Sequence, residues 1–201
     1  MHFFSAAVIS LVSLATQIHG HGLVTKPVTR EPGAATAAVC GSPMVAFYKA
    51  DNTSYPEALK RSSGWDKGYN SAKCNLYLCK GFQFEDNKDQ VQKYKPGDVI
   101  DMEVFIRIPH KGYANVSVVD LAANKPIGEP LKTWASNYAA SLDNPKDQTS
   151  FSVKVPSLDG KCTTPGACAI QWYWFGQGQT YESCIDFVVP AGTVTAREFS
   201  S

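Results

Sequence analysis

The chain has 201 residues, 44% of them hydrophobic, with 19 Lys and Arg against 18 Asp and Glu and a formal net charge of +1. The missing basic excess excludes a protein built to neutralise phosphates, and the apolar fraction excludes wholesale disorder. No charge block, heptad run or fixed-period repeat is present, which removes coiled coils, solenoids and low-complexity proteins.

Residues 1–20 read as an export signal. Phe3 to Ala15 is mostly apolar, too short to span a bilayer comfortably, and the segment ends at the small Gly20. Removing it leaves 181 residues, a length for one domain that buries roughly 70% of its unfolded surface. That domain is placed at 21–190, and 191–201 reads as a polar tail with no hydrophobic segment for a lipid anchor. No later stretch approaches 18 uninterrupted apolar residues. The expectation is a soluble, secreted, extracellular monomer with neither nucleic acid nor membrane as a partner.

Taken in chain order, Gly33 to Lys80 is rich in Gly, Ser, Ala, Asn and Tyr with little periodicity, and reads as long loops with a short helix around Tyr55 to Arg61. From Val99 onward the pattern changes. Ile100, Met102, Val104 and Ile106 alternate with Asp101, Glu103, Phe105 and Arg107. Val116 and Val118 begin a similar run, then Phe151, Val153 and Val155, then the aromatic Ala169 to Phe175, then Ile185 to Val189. Turn residues separate these runs: Lys95-Pro96-Gly97-Asp98, Asp143-Asn144-Pro145, Asp159-Gly160 and Gly176-Gln177-Gly178. Period-two alternation with such punctuation predicts an all-β, antiparallel sandwich with long loops. Trp172 and Trp174 share one strand face and read as core.

All six cysteines, Cys40, Cys74, Cys79, Cys162, Cys168 and Cys184, follow the leader. In an exported chain an even count favours three disulfides over a zinc site. Spacing suggests Cys74–Cys79 and Cys162–Cys168 as local clips and Cys40–Cys184 as a long staple. Asn52-Thr53-Ser54 and Asn115-Val116-Ser117 are acceptor sequons for N-glycans.

Histidine carries the chemistry. Four are present, His2, His19, His21 and His110, and cleavage after Gly20 removes two and makes His21 the first residue. An N-terminal histidine offers an amine and an imidazole nitrogen as one chelate, and His110 adds a third nitrogen. Three nitrogens suit copper, the strongest binder of the divalent series, and the amine, with a pKa of about 8, releases its proton to a metal near neutrality.

The start His21-Gly22-Leu23-Val24-Thr25-Lys26-Pro27-Val28-Thr29-Arg30 resembles the opening of lytic polysaccharide monooxygenases. Pro109-His110-Lys111-Gly112-Tyr113-Ala114 sits just before a strand, where that superfamily carries its second histidine. Gln179-Thr180-Tyr181-Glu182-Ser183-Cys184 resembles the fungal pattern of a glutamine two residues before an axial tyrosine and a cysteine three residues after it. The likeness runs from His21 to about Pro190. With Cys74 to Gly81 and Tyr181 to Phe187, it looks most like fungal auxiliary-activity family sixteen.

The resemblance implies an immunoglobulin-like or fibronectin-like sandwich, a copper cofactor on a flat face, an external electron donor, and oxidative cleavage of β-1,4-linked polysaccharide. Cellulose, cut at the anomeric carbon, is favoured over chitin. It also implies roles: His21 and His110 hold copper, Tyr181 stands axial to it, and Gln179 hydrogen-bonds the oxygen reactant. Arg30 reads as an ion pair pinning the N-terminal loop, and the loop aromatics Tyr48, Tyr55, Trp65 and Tyr69 are candidates for stacking on sugar rings. The competing readings are a non-catalytic secreted copper-binding protein and a chitin-active monooxygenase or chitin-binding protein. Hydrolysis by paired carboxylates is disfavoured because no fixed carboxylate pair is evident.

Overall fold

The computed structural model describes residues 21–190; the expected leader at 1–20 and tail at 191–201 lie outside the described residues. The alternating runs form two sheets packed face to face. The smaller has the order β1 (His21–Lys26), β3 (Val99–Ile108), β7 (Ser150–Lys154). The larger runs β2 (Gln92–Lys93), β9 (Gln179–Val188), β8 (Cys168–Gly176), β4 (Gly112–Asp120), β5 (Lys125–Pro126), with β6 (Lys132–Tyr138) also pairing β4. Ile100, Met102 and Val104 from one sheet and Val116, Val118, Ile170, Trp172 and Trp174 from the other are all buried in one core. Each is an inward position of a period-two strand, so the sandwich follows from hydrophobic patterning alone. Pairing is antiparallel except at the edge, where β2 runs parallel to β9.

The first half corrects the expectation of loops. Beyond the short helix α3 (Pro56–Leu59), it contains α1 (Ala34–Cys40) and α2 (Ser42–Ala50). Neither α1 nor α2 has a side-chain cap of its own at its start. Instead Asp86 reaches across and accepts the backbone N–H groups of Gly33, Ala35 and Thr36 at 3.0, 2.8 and 2.8 Å. These helices surround a second, small core of Met44, Tyr48, Leu59, Leu76 and Phe82.

Two of the three expected disulfides are corrected. The bonds are Cys40–Cys74, Cys79–Cys184 and Cys162–Cys168, and no cysteine is free, which excludes a thiolate zinc site. Spacing misled because loop length changes closure entropy only slowly. Layer membership decides instead: Cys40 and Cys74 both lie in the small core, while Cys79 lies against the outer face of β9, where Cys184 points.

β9 is buried on both faces. Tyr181, Ile185 and Phe187 point into the sandwich core. Thr180, Glu182, Cys184 and Asp186, the alternate set, are each tied to the helical and loop layer: to Glu57, the Lys80 backbone, Cys79 and Arg30 respectively. Arg30 does pin the N-terminal loop, by two hydrogen bonds of 2.7 and 2.6 Å to Asp186 and a third of 2.9 Å to the Phe82 carbonyl.

Candidate metal centre

His21 opens β1 and pairs in register with Ile108 at the end of β3. His110 follows two residues later, in the turn that leads into β4. Both histidines therefore sit at one end of the sandwich. Two glycines let the His110 turn lie flat on the sheet. A Cβ on Gly176 would stand 2.2 Å from the His110 carbonyl oxygen, and one on Gly112 would stand 1.9 Å from that of Phe175. Any side chain there would push the turn away. The Trp174 indole N–H then donates to the His110 carbonyl at 3.1 Å.

The same end receives β9. The β8–β9 turn has positive φ at Gln177 (52°) and Gly178 (79°), the backbone of a tight two-residue hairpin. It pairs Gly176 with Gln179 and Trp174 with Tyr181. The Tyr181 ring stacks on Trp174 at 4.1 Å between centroids, and lies 5.3 Å from the ring of Tyr55. Tyr55 in turn meets the His21 ring edge-on at 6.0 Å. A continuous aromatic path thus runs from His21 through Tyr55, Tyr181 and Trp174 to the His110 backbone.

The Tyr181 hydroxyl donates to Gln179 Oε1. Burial, helped by Tyr55 and Glu57, pushes the Tyr181 phenol well above its ordinary range, so it stays protonated and remains a donor. The two candidates from the C-terminal motif therefore act as one hydrogen-bonded unit.

Asp51 is the residue that local sequence did not reveal. It follows α2, and its Oδ2 lies 3.1 Å from His21 Nε2 and accepts from Arg107 at 2.7 Å. Its Oδ1 accepts from the Thr53 backbone and hydroxyl at 3.1 and 2.6 Å. Burial works to raise its carboxyl pKa, but the hydrogen bonds from Thr53 and Arg107 and the charges of His21 and Arg107 outweigh it and hold it low. Trp174 was also missed as part of the site, since it looks like an ordinary core aromatic, and Tyr55, expected among the sugar-stacking loop aromatics, is instead fully buried between His21 and Tyr181.

The substrate candidates divide. Tyr48 is fully buried and unable to stack on a sugar; its ring packs on Phe47 and Phe82 inside the small core. Trp65 and Tyr69 are half-buried and pack on each other at 5.1 Å, with the Tyr69 hydroxyl donating to the Cys74 carbonyl. Of the sequon residues, Asn52 is exposed beside Asp51, whereas Asn115 is half-buried in β4, its Oδ1 accepting from Ser117.

Residues 21–187 match the family described as lytic polysaccharide mono-oxygenase, cellulose-degrading. The chain belongs to that family. No curated protein matches it. Among solved structures it is similar to a cellulose-active, copper-bound lytic polysaccharide monooxygenase, at 16% identity over 86% of this chain and 100% of that one, TM-score 0.46. It is similar also to a chitin-binding domain from Burkholderia pseudomallei, at 12% identity over 85% and 100%, TM-score 0.42. A family-fifteen monooxygenase from Thermobia domestica shows 16% identity over 85% and 99%, TM-score 0.37. These are distant likenesses, and membership stands on the match over residues 21–187.

The donor set fits the copper that this mono-oxygenase family implies. Among the described residues no cluster of three or more His, Cys, Asp or Glu side chains gathers to hold a metal. A site here would draw on the two imidazoles, with the nitrogen of His21 itself as a third donor. With Nε2 facing Asp51, the His21 Nδ1 is the atom that closes a six-membered chelate with that nitrogen. An all-nitrogen set of this kind suits copper.

Proposed function

We propose that this chain is a secreted copper-dependent polysaccharide monooxygenase, nearest to fungal auxiliary-activity family sixteen, that cleaves β-1,4-linked chains, cellulose before chitin. The observation that carries the reading is the convergence of His21 and His110 at the end of the sandwich where the Gln179–Tyr181 pair also lies. Export and cleavage after Gly20 free the His21 amine; among the described residues no helix is long and apolar enough to cross a membrane.

The amine and Nδ1 of His21 and the ring of His110 would hold copper, which would supply redox chemistry drawing on an external electron donor. The chain's own residues do the rest. Trp174 fixes the His110 backbone, so the second ring is set before metal arrives. Tyr181, protonated and stacked on Trp174, would wall one side of the site with a buried ring. Gln179, with its carbonyl engaged by Tyr181, keeps its amide N–H as the group that would donate to the oxygen reactant. The substrate is a polysaccharide face lying across this end. The family's description as cellulose-degrading supports cellulose.

The test is electron paramagnetic resonance on copper-loaded protein whose His21 terminus is confirmed by intact mass. A type 2 signal at one copper per chain, lost in His110→Ala, together with oxidised products from cellulose and not chitin, is expected. A heterogeneous, free-copper-like signal in the parent protein overturns the reading.

A further inference from the structure

We infer that Asp51 is a positioning residue for His21, holding its ring through Nε2 so that only Nδ1 faces the metal. The inference deepens the copper reading for what the ring binds, but the clamp itself exists without metal. A carboxylate only accepts hydrogen bonds. At 3.1 Å from Oδ2, His21 Nε2 must carry its proton. The neutral ring then has its lone pair on Nδ1, the only ring nitrogen that can close a six-membered chelate with the nitrogen of the same residue.

Asp51 is itself immobilised. Thr53 gives two hydrogen bonds to Oδ1, and Arg107 and His21 share Oδ2, so all four lone-pair directions of the carboxylate are used. The loop that carries it also grips the next residue of β1, since the Gly22 N–H donates to the Thr53 carbonyl at 3.2 Å. Lys80 donates to the Asn52 carbonyl at 2.7 Å. His21 is thus held by its strand and, through residues 51–53, by the helical layer. A carboxylate behind a ligating imidazole fixes the tautomer and raises the basicity of the ligand nitrogen. Arg107, exposed on β3, shares Oδ2 with His21 and helps to hold the carboxylate in place.

Two measurements test this on the protein beginning at His21. In the metal-free protein, proton NMR should show a downfield His21 Nε2–H signal protected from solvent exchange, lost in Asp51→Ala. In calorimetric titration with copper, Asp51→Ala should bind about 10–100-fold more weakly, with altered nitrogen splitting in the resonance spectrum. Asp51→Asn, which keeps one acceptor oxygen, should fall between the two and guards against misfolding of the alanine variant. Parental copper affinity and spectrum in a folded Asp51→Ala protein overturn the inference, as does absence of the protected Nε2–H signal. If that signal is present while the parent binds no copper, the clamp stands and the monooxygenase reading falls.

Discussion

On the inner face of β9, Tyr181, Ile185 and Phe187 are buried among apolar side chains, whereas on its outer face Thr180, Glu182, Cys184 and Asp186 are each joined to one residue of the helical layer. Inner-face burial is non-directional and tolerates changes of similar volume. The outer face holds buried polar groups, which cost stability unless each finds its partner. Burial there pushes Glu182 up to about 7 and Lys80 down to about 8. Directional ties fix where the helical layer sits on the strand. That placement sets Tyr55 against Tyr181 and Asp51 against His21, so the polar face of β9 aligns the centre built at the end of its apolar face.

The comparison breaks most readily at the outer face. Replacing Cys79 and Cys184 with serine opens a loop spanning 105 residues and should cost about 4–5 kcal/mol on a chain-entropy estimate. Opening Cys162–Cys168, separated by six residues, should cost only about 2 kcal/mol. Denaturant unfolding of both variants gives the ranking, and equal losses would show that the link between layers is not what the long disulfide contributes. Next comes Asp186→Ala, which strands the Arg30 guanidinium in a buried site and should cost about 3–5 kcal/mol. A loss under about 1 kcal/mol would mean that water reaches Arg30 and the outer face is not sealed.

The same contrast decides what could be read from the sequence. Strands β3, β7 and β8 are legible because one face is apolar and the other is not. β9 was seen only from Ile185 onward, because Thr180, Glu182 and Cys184 break the apolar run although they are buried. β1 and β6 gave no signal strong enough to single out. Helices α1 and α2 stayed invisible for a different reason: the acceptor that satisfies the first N–H groups of α1 is Asp86, some fifty residues away in the chain. At the metal centre, His21, His110, Gln179 and Tyr181 are legible by donor chemistry and by resemblance. Asp51 is not, since in the sequence it is one more polar residue of a stretch read as loop, until the fold brings His21 to it.

Asp86 offers the smallest effect and the sharpest test, because its contribution should depend on pH whereas the inner core's should not. Burial alone would raise its carboxyl pKa, but hydrogen bonds from the Thr36 side chain and from the Thr36, Ala35 and Gly33 backbone outweigh that and hold it below the ordinary value. Its native pKa therefore lies under the unfolded value of about 3.9. Between the two values the unfolded chain binds the proton and the folded chain does not, so the stabilisation is complete above pH of about 4 and fades as pH falls through the native value. Asp86→Asn has no proton to bind. It should be less stable than the parent by about 1–3 kcal/mol at pH 7, with the gap closing as pH falls below about 4 and through the native value. Urea midpoints measured from pH 7 down to pH 2.5 would follow the gap. If it stayed constant across that range, hydrogen-bond geometry rather than carboxylate charge would be what holds α1 in place, and the layer that carries Asp51 would be insensitive to acid.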